Sequence, residues 1–156
     1  MASRLQHIDF YQLAGGEVSE LAAQLTEKSQ SVGKNTIIYA PKSEAQNVSR
    51  ALWVLRDLSF LAHGIDGDDG AEFAHIWVSS DPNENQIAAE FAILLFGQLV
   101  PDMTAYERCF VLFNGKDESG LQEARSQWKS LSSQHKGLCR YFAKTDEGKW
   151  EQKAAG

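Results

Sequence analysis

Apolar positions along this chain switch several times between a strand-like spacing and the three-and-four spacing of a helix. "IDFYQL" (8 to 13) is a short strand pattern closed by Gly15 and Gly16, and Val18, Leu21, Ala22 and Leu25 then recur at helical intervals. Gly33 is a helix stop, "NTIIYA" (35 to 40) is a β-branched run, and Pro41 ends it. In "KSEAQNVSRALWVLRD" Ser43 is the candidate N-cap of a helix that puts Val48, Ala51, Leu52 and Leu55 on one face. The stretch from 59 to 82 begins apolar, crosses a Gly/Asp loop and ends in the strand-like "HIWV" (75 to 78). "AEFAILLFGQLV" (89 to 100) is too apolar for a surface element; periodicity fits a buried strand or a buried helix, and its centre is assigned to strand. "ERCFVLFN" (107 to 114) is another strand, followed by a helix carrying Leu121, Ala124, Trp128 and Leu131. "LCRYFAK" (138 to 144) closes the series, and the final "KAAG" is expected to fray.

Strands alternating with helices predict an α/β domain, Rossmann-like, with a mostly parallel sheet and helices on both faces. The 156 residues, 43% hydrophobic, suffice for one such domain spanning 1 to 156. A cytoplasmic protein is expected, since the amino terminus has no signal-peptide pattern and the sequence no long apolar span. Cys109 and Cys139 are isolated and expected to be reduced and partly buried.

Charge changes the picture. The net charge is −6, but residues 1 to 120 carry 8 basic and 17 acidic side chains, net −9, whereas residues 121 to 156 carry 7 and 4, net +3. Such a field opposes strong direct binding of nucleic acid by the whole domain, because phosphate affinity needs many basic contacts. It permits a short acidic peptide to land near the carboxy-terminal end.

The usual chemistry of an α/β domain is not readable. The turn after the first strand, "AGGEVSE", is no dinucleotide fingerprint, and Gly33-Lys34 has no partner glycine for a phosphate loop, so there is no nucleotide-binding motif. In "GIDGDDGAE", taking Gly70 as the sixth position of a calcium loop puts Ile65 first and Ile76 twelfth, where oxygen ligands are needed. His63 and His75 flank that loop without tight ligand spacing and are better read as structural histidines than as metal ligands. No nucleophile elbow or activated cysteine is present. Catalytic residues, cofactors and metals are all expected to be none.

"FYQL", "ALWVLRDLSFLAHG" (51 to 64), "YERCFVLFNGKDESGLQEARSQWKSL" (106 to 131) and "GKWEQKA" (148 to 154) together resemble the chi subunit of the bacterial DNA polymerase III holoenzyme, the last piece and "YERC" its alphaproteobacterial branch. The resemblance implies a Rossmann-like fold without a nucleotide site and a non-catalytic adaptor. Its partners would be the acidic C-terminal tail of single-stranded-DNA-binding protein and a clamp-loader component, psi or an equivalent. "GIDGDDGAEF" is more acidic than the family suggests, and "ENQIAAEFAILLFGQLVPDM" lacks an Asn-rich, Arg-containing middle, so the clamp-loader partner stays open. The alternative is a degenerate nucleotide-binding domain of an enzyme or helicase-associated factor, which nucleotide with magnesium should stabilise against heat.

"EARSQWK" (123 to 129) sets Arg125 and Lys129 one turn apart with Trp128 beside them. Two cations and a ring on one helix face suit a peptide that ends in an aromatic residue with a free carboxylate, and Phe113, at the end of the preceding strand, is the candidate pocket floor. The resemblance supports Arg125, since the family carries its tail-binding arginine in the same Ala-Arg step. Trp128 and Phe113 can equally be core. A second candidate surface contains Trp53 and Phe60, which match family positions near the docking surface for psi or an alternative helicase partner; for Trp53 core packing is the preferred reading, and for Phe60 core and surface both stand open.

Overall fold

The apolar runs become the strands of one sheet. The computed structural model describes residues 5–13, 18–54, 63–71, 74–144 and 147–156. Its elements are β1 (His7–Leu13), α1 (Val18–Ser31), β2 (Thr36–Tyr39), α2 (Ala45–Val54), β3 (Gly64–Ile65), β4 (Ile76–Ser79), β5 (Phe91–Leu95), β6 (Arg108–Asn114), α3 (Glu118–Gln134), β7 (Cys139–Lys144) and β8 (Trp150–Ala155). The order across the sheet is β3-β4-β2-β5-β6-β1-β7-β8, parallel throughout except for the antiparallel pair β7/β8.

The chain leaves β1 toward β2 through α1 on one face and leaves β6 toward β7 through α3 on the other, so the two sets of helices cover opposite sides. Under α1 and α2 lie Ile38, Ile93, Leu95 and Leu112 from the strands, packed on Leu21, Leu25, Val48 and Leu52. Under α3 lie Ile8, Phe10, Val111 and Cys139 with Ala124 and Leu131. Over β2 and β5 that second face is closed by loop residues, among them Ile87, Val100, Met103 and Tyr106. Cys109 and Cys139 are fully buried free thiols, and burial pushes the Cys139 thiol up to about 11.

Four local expectations need correction. Ser43 does not cap α2: it sits inside a 3-10 turn, Lys42–Glu44, entered from Pro41, and that turn uses the Glu44 amide on the Pro41 carbonyl at 2.8 Å. The Gly/Asp loop contains a two-residue strand, β3, because Asp66 ties it to its neighbour: its carboxylate accepts from Trp77 Nε1, Ser79 Oγ, the Ser80 amide and Gln86 Nε2. The cysteines are buried outright rather than partly. And "LCRYFAK" is not the last strand. "KAAG", expected to fray, completes β8, and Gly156 exchanges backbone hydrogen bonds with Cys139 at 2.9 and 3.1 Å. β8 is nearly all exposed, so it carries almost no apolar signal to read; its order comes from backbone pairing with β7.

Candidate peptide-binding site

α3 starts where Asp117 leaves the helical region, with Glu118 in the first turn to oppose the positive end of the helix. Its inward face, Ala124, Gln127 and Leu131, lies on the sheet and directs the neighbouring side chains along the rim. Trp128 is half-buried: its ring stands edge-on to Phe10 at 5.3 Å and to Tyr141 at 5.7 Å between centroids. Each such contact contributes roughly 0.5 to 1.5 kcal/mol beyond area burial, so the ring is fixed in place while its outer side stays accessible.

Trp128, Arg125, Tyr141, Lys153 and Ala154 line an open depression of about 270 Å³. Tyr141 forms part of its wall on β7 and donates its hydroxyl hydrogen to Gln12 Oε1. Burial holds that hydroxyl above the ordinary phenol range, while the positive charge of Arg125 pulls the other way. Arg125 makes no ion pair or hydrogen bond of its own among the described residues.

Lys153 arrives through an irregularity. β7 advances one step from Tyr141 to Phe142 while β8 moves from Ala154 to Gln152, so Lys153 is the extra residue of a bulge. A bulge turns two consecutive side chains toward one face, and Lys153 and Ala154 both line the depression. Lys153 is also held by Glu151 at 3.4 Å.

The residues singled out from the sequence separate here. Arg125 and Trp128 come together. Lys129 does not join them: successive helix residues turn by about 100°, and Lys129 lies on a separate shallow surface with Ser126, Ser130 and Ser133. Phe113, only 7% exposed, is not the floor. It sits on β6, which β1 separates from β7, and it supports Tyr141 edge-on at 5.9 Å. Trp53, read as core, is 46% exposed on α2 and packs beside the ring of His63 at 4.9 Å. Phe60 lies outside the described residues. Tyr141 and Lys153 are not among the residues that the sequence points to: "RYF" puts two rings on opposite faces of one strand, and Lys153 opens the "KAAG" segment expected to fray.

A cavity of about 500 Å³ lies at the carboxyl ends of β5 and β6, where α/β sheets commonly hold nucleotides. Asp117 and Glu123 line it, and Glu123 packs so closely on Gly97 that a Cβ there would collide with the carboxylate. Two carboxylates stand where phosphates would need donors. Among the described residues no three His, Cys, Asp or Glu side chains gather as a metal site requires.

With this geometry in place, the sequence matches the family described as DNA polymerase III chi subunit, HolC, over residues 5–137. The chain belongs to that chi family. The match takes in the sheet from β1 to β6 and all of α3, with Arg125, Trp128 and Lys129, and ends just before β7. The family is an accessory subunit of a replicative polymerase, which assigns the chain to DNA replication. Tyr141 and Lys153 fall beyond the matched span, so half of the depression belongs to the part of this chi-family chain that the family pattern does not describe. No curated protein matches the chain as a relative. No described helix is long and apolar enough to cross a membrane.

Proposed function

We propose that this chi-family protein is a non-catalytic adaptor. It would hold the clamp-loader assembly to the acidic C-terminal tail of single-stranded-DNA-binding protein in the cytoplasm. The observation that carries the reading is the convergence of Arg125 and Lys153 with the rings of Trp128 and Tyr141 in one depression. The tail's terminal carboxylate pairs with the Arg125 guanidinium, its terminal ring packs on Trp128, and the aspartates before it lie in the field of Lys153. The net charge of +3 over residues 121 to 156 supplies the attraction that the rest of the chain opposes.

The test is fluorescence polarisation with a labelled acidic peptide ending in an aromatic residue. A charge-assisted hydrogen bond at a partly desolvated site is worth about 1.5 to 3 kcal/mol, so Arg125→Ala should weaken the peptide roughly tenfold or more. Amidating the peptide's terminal carboxylate should do the same, and combining the two should cost little more than either alone. If the losses add, or if Arg125→Ala binds normally, the tail does not use this depression.

The clamp-loader partner, psi or an equivalent, docks on the surface that carries Trp53. An exposed tryptophan beside His63 supports this, since large rings at a surface are costly unless covered. Trp53→Ala should reduce co-purification with clamp-loader components and leave the melting temperature nearly unchanged. A steep fall in melting temperature would mean that the ring serves the fold.

A further inference from the structure

The face of the sheet opposite α3 is only partly covered. α1 packs mainly on β2, β5 and β6 and α2 on β4, so among the described residues the helices cover β1, β7 and β8 only slightly on this side. Tyr11, Phe142 and Trp150 stand there half-buried, with Tyr11 parallel to Phe142 at 5.2 Å and edge-on to Trp150 at 5.0 Å. Cations frame the rings: Arg140 lies 5.5 Å from the centre of Phe142, Lys144 lies 5.4 Å from Trp150, and Arg108 lies 4.6 Å from Phe110.

Asp9 fixes this arrangement. Its carboxylate is fully buried at the centre of the face and accepts from Arg108 Nη2 at 2.6 Å and from Arg140 Nε and Nη2 at 2.7 and 2.8 Å. Both arginine side chains remain 29% exposed, and Nη1 of each has no partner among the described residues. Three cations against one carboxylate leave the face positive, within a chain that is acidic elsewhere.

We infer that this face of β1, β7 and β8 is a weak docking surface for single-stranded nucleic acid, with bases on Tyr11, Phe142 and Trp150 and phosphates on Arg108, Arg140 and Lys144. Flat rings interleaved with cations on an open sheet face match unpaired bases on a phosphate chain, whereas a duplex keeps its bases stacked inside. An acidic peptide would satisfy the cations and leave the rings unused. The surface lies on the other side of the sheet from the Arg125 depression, so a bound peptide and a bound strand do not exclude each other. A strand held nearby by another contact meets this face at high effective concentration, which makes weak binding useful.

The experiment is fluorescence anisotropy of a labelled oligothymidylate of about 20 nucleotides against the intact protein, without any tail peptide. Dissociation constants of about 1 to 100 µM are expected at low salt, as for non-specific phosphate binding. Three phosphate contacts predict a slope of about −2 for log K against log salt, so going from about 50 to about 200 mM salt should weaken binding roughly tenfold or more. Trp150→Ala should weaken it by about fivefold or more while Trp150→Phe keeps most of it, and Lys144→Gln should lower the slope by roughly one unit. Arg125→Ala should leave it unchanged, which separates this proposal from the tail site. Absence of any anisotropy change overturns the inference. So does equal binding of an abasic oligonucleotide, equal competition by poly-aspartate, or loss of binding with Arg125→Ala.

Discussion

The two sides of the sheet use one backbone and two residue patterns. In β2, β4 and β5 every side chain is buried: "TIIY", "IWVS" and "FAILL" lie between α1 and α2 on one face and α3-side loops on the other. In β7 only Cys139 is buried, and β8 is exposed beyond Trp150. The first side is closed by packing. The second is closed on the α3 face alone, and there the chain affords charges, rings and a bulge. Strands buried on both faces must be apolar at each position, while strands covered once are free to hold side chains whose outer halves meet a partner. Arg125, Trp128, Tyr141 and Lys153 all belong to that second side.

The comparison breaks if the two sides prove equally packed. Ile93→Ala in β5 empties a fully buried site and should cost about 4 kcal/mol, as large-to-small core changes do. Phe142→Ala in β7 removes a half-buried ring with water on one side and should cost about 1 to 2 kcal/mol, although phenylalanine is the larger residue. Urea unfolding of both variants measures the difference. Equal losses would mean that the face of β7 is closed and that the rings there are core.

Asp9 gives a second measure, of intermediate size. Among the described residues it is the one buried charge on the open side, and neutralising it leaves two guanidiniums without the carboxylate they share. Breaking a buried pair from one side costs about 3 to 5 kcal/mol, and the 29% exposure of each arginine puts Asp9→Asn near or below the low end. The loss should be nearly independent of salt, because the carboxylate itself is dry. A loss that vanishes in high salt would mean that Asp9 is an ordinary surface partner.

Legibility in the sequence follows the same division. β2, β4, β5 and β6 announce themselves because double-sided burial forces continuous apolar runs, and α1 and α3 because a single inward face forces the three-and-four spacing. The site was half legible. Arg125 and Trp128 lie on a periodic helix, whose face can be counted. Tyr141 cannot be distinguished from Phe142 by alternation until the face toward α3 is known. Lys153 depends on a strand without hydrophobic period and on a bulge that shifts its side by one residue. Phe113 failed as a floor because sequence order hides that β1 is inserted between β6 and β7.

The smallest effects sharpen the comparison within the site itself. Lys129 and Lys153 are both lysines near Arg125, one picked out by helical spacing, the other brought in by the bulge. If the depression is the binding surface, the cation that lines it should matter more than the one that turns away. Lys153→Ala should weaken the acidic peptide about three- to fivefold, and Lys129→Ala less than twofold near physiological salt, since an exposed ammonium outside the contact acts only through screened attraction. Glu151 holds Lys153 at 3.4 Å, so Glu151→Gln releases it and should tighten the peptide slightly. Deleting Lys153 restores regular pairing of β8 on β7 and should weaken the peptide as much as Lys153→Ala, because the bulge matters here only for where it sends that side chain. Polarisation titrations of the four variants rank these effects. The reverse order, with Lys129→Ala the more damaging, would move the peptide onto the outer face of α3 and leave Lys153 and Tyr141 out of the contact.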